Sequence, residues 1–396
     1  MNSLKLSHIV IYIGIIATTN CLGFLPCIQL GITKILSVFV VLFLLTVILL
    51  NSLKKIRDAL FYKEILLLIF LPFASSIPCY VYRGQDFITT FIATRSVLLF
   101  AIYFLLHKVN FNDIKLKQIF FAVAVIATLI YLFQQIFYPS LILFGDGSSE
   151  KVSIRNGFYR FRLFYNNPYI FFAFFLCVVS SIKEKKRILW SFFFLVGIFL
   201  TLTRQIWMCC LLPVIMYPIL TKNKIEIKVC GIIVGSLILY LLMQAASYGN
   251  NSLLQQTQQQ LNDDNDVRML SLNFYGLEYW VDGWNVAFGN GIPSFGKSNY
   301  GNFISSLEER GLYRSDIGIV GVFSQYGAIY IFALLLYYVK IFRNFKYLSK
   351  ELQMLYIASA LNLPLASWDI FPLYLGCISY MADCEIKKAK ENYSYE

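Results

Sequence analysis

Apolar runs about as long as a bilayer is thick recur along this chain, and nothing else in it constrains the fold so strongly. A spanning helix needs about 20 apolar residues. Such runs fall near 6–25, 32–53, 60–80, 87–107, 117–138, 167–182, 188–204, 205–221, 229–248 and 317–338, with two weaker ones near 352–368 and 370–384. They predict an all-α, polytopic integral membrane protein of about twelve transmembrane helices, with residues 1–396 as a single membrane domain. At 58% hydrophobic and 14% charged residues, the composition lies outside that of soluble domains. The first run lacks a small-residue cleavage site and is expected to remain as a span. The last two carry Pro364 and Pro372, so they either cross or form a re-entrant pair.

Counted from a cytoplasmic N-terminus, the even-numbered loops receive Lys54-Lys55-Ile56-Arg57, Lys183–Arg187, Lys222–Lys228 and Lys340–Lys350. The Lys387–Lys390 tail falls on the same side, as the positive-inside rule requires, and both termini are expected in the cytoplasm. The two sides then differ in kind. The inner one holds nineteen Lys and three Arg, whereas the outer one holds three Lys and nine Arg: Arg83, Arg95, Arg155, Arg160, Arg162, Arg204, Arg268, Arg310 and Arg314. Orientation needs only positive charge, so selective arginine asks for another cause. The guanidinium fork pairs two oxygens of a phosphate or carboxylate at once, and the outer face reads as built for anions. The net charge of +12 sits mostly in short Lys loops, too short to track a nucleic-acid backbone, and no nucleic-acid partner is expected. Nine Cys lie in or beside apolar runs without a CxxC pair, and the only His are His8 and His107, which speaks against a disulfide framework and against zinc.

Two outer loops exceed what a connector needs: 139–166, and the large outer loop 248–315. In the first, Arg155, Arg160 and Arg162 stand in SIRNGFYRFRLFYNN, which reads as a short strand or as an interfacial segment. In the second, Gln255–Gln260 reads as a spacer. Asp263, Asp264 and Asp266 then open a helix that Gly289-Asn290-Gly291 closes. Leu270, Phe274, Leu277, Val281, Trp284 and Phe288 make one apolar stripe; Arg268, Ser271, Tyr275, Glu278, Asp282 and Asn285 make a polar one. One continuous amphipathic helix is expected in the membrane interface, with Arg268, Glu278 and Asp282 on one face. Glu278 and Asp282 are either a general-base pair or a solvated polar face. Asp264-Asn265-Asp266 imitates a metal-binding DxD, but acids at a helix start have a simpler cause in the macrodipole. Arg95, well inside the fourth run, either snorkels outward or pairs with a buried polar group, or lines a polar cavity. Arg204 ends the seventh run as an anchor or as a functional cation.

Three stretches resemble the O-antigen polymerase and O-antigen ligase superfamily of bacterial membrane glycan-assembly proteins. They are Thr203-Arg204 at a span end, the Arg268 helix running through Trp284 to GNGIPSFG, and RSDIGIVGVFSQYG entering span ten. The resemblance implies a metal-independent glycosyltransferase in the bacterial inner membrane, without cofactor, working at the periplasmic face on an undecaprenyl-diphosphate-linked oligosaccharide. Products would be O-antigen, capsule or exopolysaccharide, and partners would be membrane lipid, a chain-length regulator and a flippase. Arg204 and Arg268 match the family's functional arginines. The family's ligases use a loop His that this chain lacks, which favours a repeat-unit polymerase over a ligase transferring polymer to a lipid acceptor. A flippase or other transporter is the alternative from another class. In the residues' own terms, Glu278, Asp282 or Asp316 deprotonates an acceptor hydroxyl, while Arg204 and Arg268, with Arg155, Arg160 and Arg314, hold the departing diphosphate.

Overall fold

The computed structural model describes residues 2–18, 38–44, 56, 58–138, 152–155, 158–161, 167–181, 184, 186–220, 229, 233, 266–364 and 371–393. Described residues are almost wholly helical. In chain order the helices are α1 (Asn2–Thr18), α2 (Tyr62–Ala74), α3 (Ser76–Arg83), α4 (Phe87–Thr94), α5 (Ile102–Val109) and α6 (Asp113–Phe137). The two-stranded ribbon β1 (Val152–Arg155) and β2 (Phe158–Phe161) follows, then α7 (Asn167–Ser181), α8 (Arg187–Leu200) and α9 (Arg204–Leu220). The large outer loop contributes α10 (Val267–Asn273), α11 (Gly283–Phe288) and α12 (Asn299–Glu309), before α13 (Ile319–Arg343), α14 (Lys350–Asn362) and α15 (Pro372–Tyr393).

Four helical stretches are long and apolar enough to cross a membrane: Tyr62–Arg83, Phe87–Val109, Asp113–Phe137 and Ile319–Arg343. Shorter apolar helices, Ser7–Ile16, Asn167–Ser181, Arg187–Leu200 and Gln205–Pro218, occupy four more of the expected runs. The expected spans at 32–53 and 229–248 lie mostly outside the described residues, as do Gln255–Gln260 and Asp263–Asn265. Of the last pair, α14 has 13 residues, about 20 Å of helix against a hydrocarbon core of about 30 Å. That is too short to cross unaided.

Local chemistry sets the ends of these helices. Asp86 caps α4 by accepting from the Thr89 amide at 2.8 Å, and Asn112 caps α6 by accepting from Ile114 and Lys115. Each cap satisfies backbone donors that would otherwise face lipid or protein unpaired. The bundle packs α2 against α13, α9 against α14, and α15 against α5 and the 3-10 turn Arg95–Ala101. Its core is rich in aromatics. The Tyr337 hydroxyl is shared with Tyr356 at 3.1 Å and Ser379 at 2.7 Å, so a polar atom deep in an apolar core is satisfied.

Pairs of lysine with acid gather at one end of the bundle. Lys117 meets Glu385 at 2.8 Å and Glu351 at 3.1 Å; Lys340 meets Glu64 at 2.8 Å; Lys388 meets Asp113 at 3.1 Å. Fully buried Asp383 takes Lys387 at 3.3 Å and His107 at 3.1 Å, and accepts from the Tyr103 hydroxyl and the Leu60 amide. Arg83, the 84–86 turn, the ribbon and the loop carrying α10–α12 collect at the opposite end.

The expected continuous helix through the large loop is corrected by the structure. Helix α10 passes into a π turn, Phe274–Glu278, the chain breaks at Tyr279–Asp282, and α11 starts afresh. Asp282 and Asn285 form a reciprocal capping box, which starts a new helix and cannot be satisfied inside an old one. Glu278 and Asp282 are therefore not one turn apart on a helix face. The two stripes survive in another sense: Leu277 and Trp284 are 77% and 66% exposed, while Ser271, Tyr275 and Asn285 are buried. The apolar side looks outward and the middle of the polar side faces the protein.

Candidate functional site

Two of the stretches that carry the family resemblance dock on each other. Helix α13 is broken at Gly327, whose φ of 79° and ψ of 177° release the carbonyls of the preceding turn. The Asn290 amide donates to the Ser324 carbonyl at 3.1 Å and the Gly291 amide to the Gln325 carbonyl at 2.8 Å, so the Gly-Asn-Gly segment fills the gap. A Cβ on Gly289 would lie 2.2 Å from the Gln325 oxygen, and one on Gly327 would lie 2.3 Å from the Ala287 oxygen. Only glycine fits either place.

Around this joint stands an arginine and tyrosine cluster. Arg83, at the end of α3, donates from Nε to the Asn290 side chain at 2.8 Å and from Nη2 to the Tyr279 carbonyl, with its guanidinium 4.2 Å from the Tyr279 ring centre. Asn290 also accepts from Asn285 at 3.1 Å. Tyr279 and Tyr300 share a hydroxyl hydrogen bond; Tyr300 donates to the Gly291 carbonyl and Tyr275 to the Leu312 carbonyl, each at 3.2 Å. Gln85 clamps the same loop, accepting from the Ser294 amide and the Ser298 hydroxyl and donating to the Ile292 carbonyl.

Arg314 lies within this cluster at 6% exposure, on the 3-10 turn Arg314–Ile317. Its Nε and Nη1 are buried and have no hydrogen-bond partner among the described residues. Burial pushes the hydroxyls of Tyr275, Tyr279 and Tyr300 above the ordinary phenol range, so these neighbours stay neutral and do not balance its charge. Glu308 is the carboxylate that feels Arg314, and burial raises its carboxyl despite that cation. Among the described residues, no acid lies within 4.0 Å of Arg83, Arg95, Arg268, Arg310 or Arg314.

The remaining expected site residues are spread around this end. Arg268 and Glu278 are exposed, on α10 and at the close of the π turn. Asp316 is exposed two residues beyond Arg314 and accepts from the Ser315 hydroxyl at 3.2 Å. Asp282 is committed: it caps α11 and takes a hydrogen bond from the Tyr82 hydroxyl, which holds its carboxyl below the ordinary carboxylate range. Arg155 and Arg160 stand on the ribbon, whose pairing of Ser153 with Arg160 and Arg155 with Phe158 sets positions 155 and 160 on one face. Arg162 lies outside the described residues. The ribbon docks on α6 through Gln135 and on α8 through Phe158 and Phe199, whose rings are 5.7 Å apart. Phe199 in turn stacks on Trp207, one turn into the helix that Arg204 opens. Leu202, just before, has φ 47°, a left-handed conformation that costs a branched residue about 1–2 kcal/mol. Arg95 donates from Nη1 to the Ile92 carbonyl, three residues before it on α4.

Thus two groups form: Arg83, Arg314 and the tyrosines with Asp282 nearby, and the ribbon with the Arg204 turn. In the sequence Arg83 counts among the outer arginines without a role and Tyr275 stands only on the polar stripe, while nothing there singles out Glu308, Tyr279 or Tyr300. Arg83 was findable, since the only other signal it needed was its place at the edge of a span. Glu308 was not, because an acid beside a buried cation looks in sequence like any other. No protein-family profile matches this chain, and no curated protein matches it in sequence.

Proposed function

We propose that this chain is a multi-pass enzyme of the bacterial inner membrane, with about twelve spans and both termini in the cytoplasm. In this reading it polymerises undecaprenyl-diphosphate-linked oligosaccharide repeat units at the outer, arginine-bearing end, by glycosyl transfer that needs no metal. One observation carries the reading: a buried guanidinium, Arg314, lies in the same tyrosine cluster as Arg83, and among the described residues neither has an acid within 4.0 Å. A buried charge without a counter-charge costs several kcal/mol, and an anionic substrate returns part of that cost when it binds. A diphosphate needs such donors most as its bond to the sugar breaks, because negative charge then builds on the leaving oxygen.

The transfer is a substitution at the anomeric carbon. The acceptor hydroxyl loses its proton to a carboxylate and its oxygen bonds to that carbon; the bond from carbon to the diphosphate oxygen breaks, and the lipid diphosphate leaves with the electron pair. Arg314 and Arg83, with Arg268, Arg204 and the ribbon's Arg155 and Arg160, receive that charge. For the base, exposed Glu278 and Asp316 are free to meet a substrate, whereas Asp282 is held by its cap and by Tyr82. Glu308 joins them, because a raised carboxyl is the better proton acceptor near neutral pH.

The test is the lipid-linked glycan of a deletion strain. Loss of chain length with single repeat units still transferred supports the proposal. Loss of all transfer with lipid-linked polymer accumulating makes the chain a ligase, and lipid-linked units retained inside make it a flippase. In purified protein, Arg204→Lys and Arg268→Lys should lose most activity while Lys185→Arg and Lys346→Arg are silent; full activity in both arginine variants removes the phosphate role.

A further inference from the structure

The segment that joins α10 to α11 turns Tyr275, Tyr279 and Asn285 into the protein and leaves Leu277, Val281 and Trp284 exposed at 77%, 60% and 66%. Its place on the bundle decides what those apolar side chains meet. Gly276 stands over Val320 of α13, where an added Cβ would make ordinary contact at 3.8 Å. Trp280 packs on Phe323 with ring centres 4.5 Å apart and donates its indole N–H to the Gly276 carbonyl at 3.0 Å, so the π turn is held against that helix. Val320 and Phe323 share one side of α13 with Phe332 and Leu335, both exposed. The segment therefore rests on the outward flank of a helix long and apolar enough to span, and not on its end. Phe323 is four residues into α13, about 6 Å along its axis.

A second attachment comes from α3. Tyr82, in its last turn, donates to Asp282, and Val81 beside it is 63% exposed. Helix α11 packs on both α3 and α13, with exposed Trp284 stacked on Phe288. Two stretches fit to cross a membrane, Tyr62–Arg83 and Ile319–Arg343, thus hold the segment between them. Their outward faces belong in lipid, and the exposed side chains of the segment continue those faces. A second copy or another protein would have to cover the segment and leave the adjoining flanks to lipid, whereas a bilayer covers both as one surface. An interfacial segment sinks about 5–10 Å into the boundary of headgroup and acyl chain, which matches the level of Phe323. Tryptophan is at home at that depth, and exposed Arg268 and Glu278 supply the charged border that such a segment carries.

We infer that the bilayer leaflet at the arginine end of the bundle is a direct partner of the large loop, covering Leu277, Val281 and Trp284. The loop is then held from two sides, by lipid without and by Arg83 within, whose guanidinium bonds the Tyr279 carbonyl one residue from Trp280. The seat concerns how the loop lies, and it is the same for an enzyme and for a transporter.

Brominated lipids test it without a label on the chain. In vesicles of phosphatidylcholine with bromines either near the headgroup or near the bilayer centre, the emission of Trp284 is read as the difference between the parent and Trp284→Phe. Bromines near the headgroup should quench it about threefold more than those near the centre. Quenching that is absent, or no stronger from the headgroup positions, overturns the inference. Nitroxides give a second reading, on Leu277→Cys in a chain whose native cysteines are replaced by alanine. That label should collide with oxygen in preference to a water-soluble nickel chelate, as one at Phe332 does and one at exposed Glu309 does not. A label that behaves like the one at Glu309 means water, and one shielded from both reagents means a second copy or another protein; either overturns the inference. If the cysteine-free chain does not fold, the brominated lipids decide alone. A deletion strain without a polymerase defect removes the proposed function and leaves the lipid seat standing.

Discussion

The two ends of this bundle carry the same sign of charge and treat it in opposite ways. At the lysine end, Lys117, Lys340, Lys387 and Lys388 each face an acid within 3.3 Å, and Asp383 is buried with four partners. At the arginine end, cations stack on rings, bond to amides and carbonyls, or, at Arg314, keep a buried Nε and Nη1 without a hydrogen-bond partner among the described residues. The first arrangement joins helices through ion pairs between distant positions of the chain. The second leaves positive charge unanswered. Paired charges read as architecture, and unpaired buried ones as a site awaiting an anion.

The contrast can be broken most directly at Arg314. Its replacement by Met removes a buried charge without a partner, so thermal unfolding in detergent should show stability unchanged or higher, while glycosyl transfer falls by about 100-fold or more. A variant that unfolds readily would make Arg314 a structural cation like those at the other end. Lys117 should behave in the reverse sense. Its change to Met strands Glu351 and Glu385, and the loss in stability should be about 3 kcal/mol, read as a lowered unfolding midpoint. Glu351→Gln with Glu385→Gln in the same chain should recover much of that loss. If Lys117→Met is silent, the lysine end is not held by its pairs.

Smaller effects sharpen the picture around the loop. Gly289→Ala puts a methyl against the Gln325 carbonyl and should detach the loop from α13, with faster proteolysis of 266–298 as the readout. Asp282, with its folded carboxyl held low by Tyr82, contributes stability that is present above the ordinary carboxylate range and is lost as pH falls through the lowered value. Asp282→Asn keeps a good cap but has no charge to titrate. Its unfolding midpoint should therefore fall less between pH 5 and pH 3 than that of the parent.

Much of the architecture was legible because hydropathy and charge placement are local. A run of apolar residues is helical in lipid whatever surrounds it, since its backbone must bond internally. The helices 62–83, 87–109, 113–137 and 319–343 fall on expected runs for that reason. The ribbon was legible as one of two alternatives, from Arg160 and Arg162 alternating with aromatics. The break at 279–282 was not, because Ser271, Tyr275, Glu278, Asp282 and Asn285 keep helical spacing straight across it. Asp282 followed by Gly283 was the available sign of a new helix start. At the break Asp282 also takes a hydrogen bond from Tyr82, 200 residues away.

The sequence by itself determined a helical chain with apolar spans, and a division of lysine from arginine between their ends. Those properties sum over neighbours in the chain and survive without knowledge of what packs where. Tertiary structure alone decided which cations are answered. Arg83 reaches Asn290 across 207 positions, Lys117 finds Glu385 across 268, and Arg314 becomes buried because α12, the π turn and α13 close around it. Burial and pairing depend on distances between residues far apart in the chain, and in a medium that cannot screen charge those distances decide what each charge is worth.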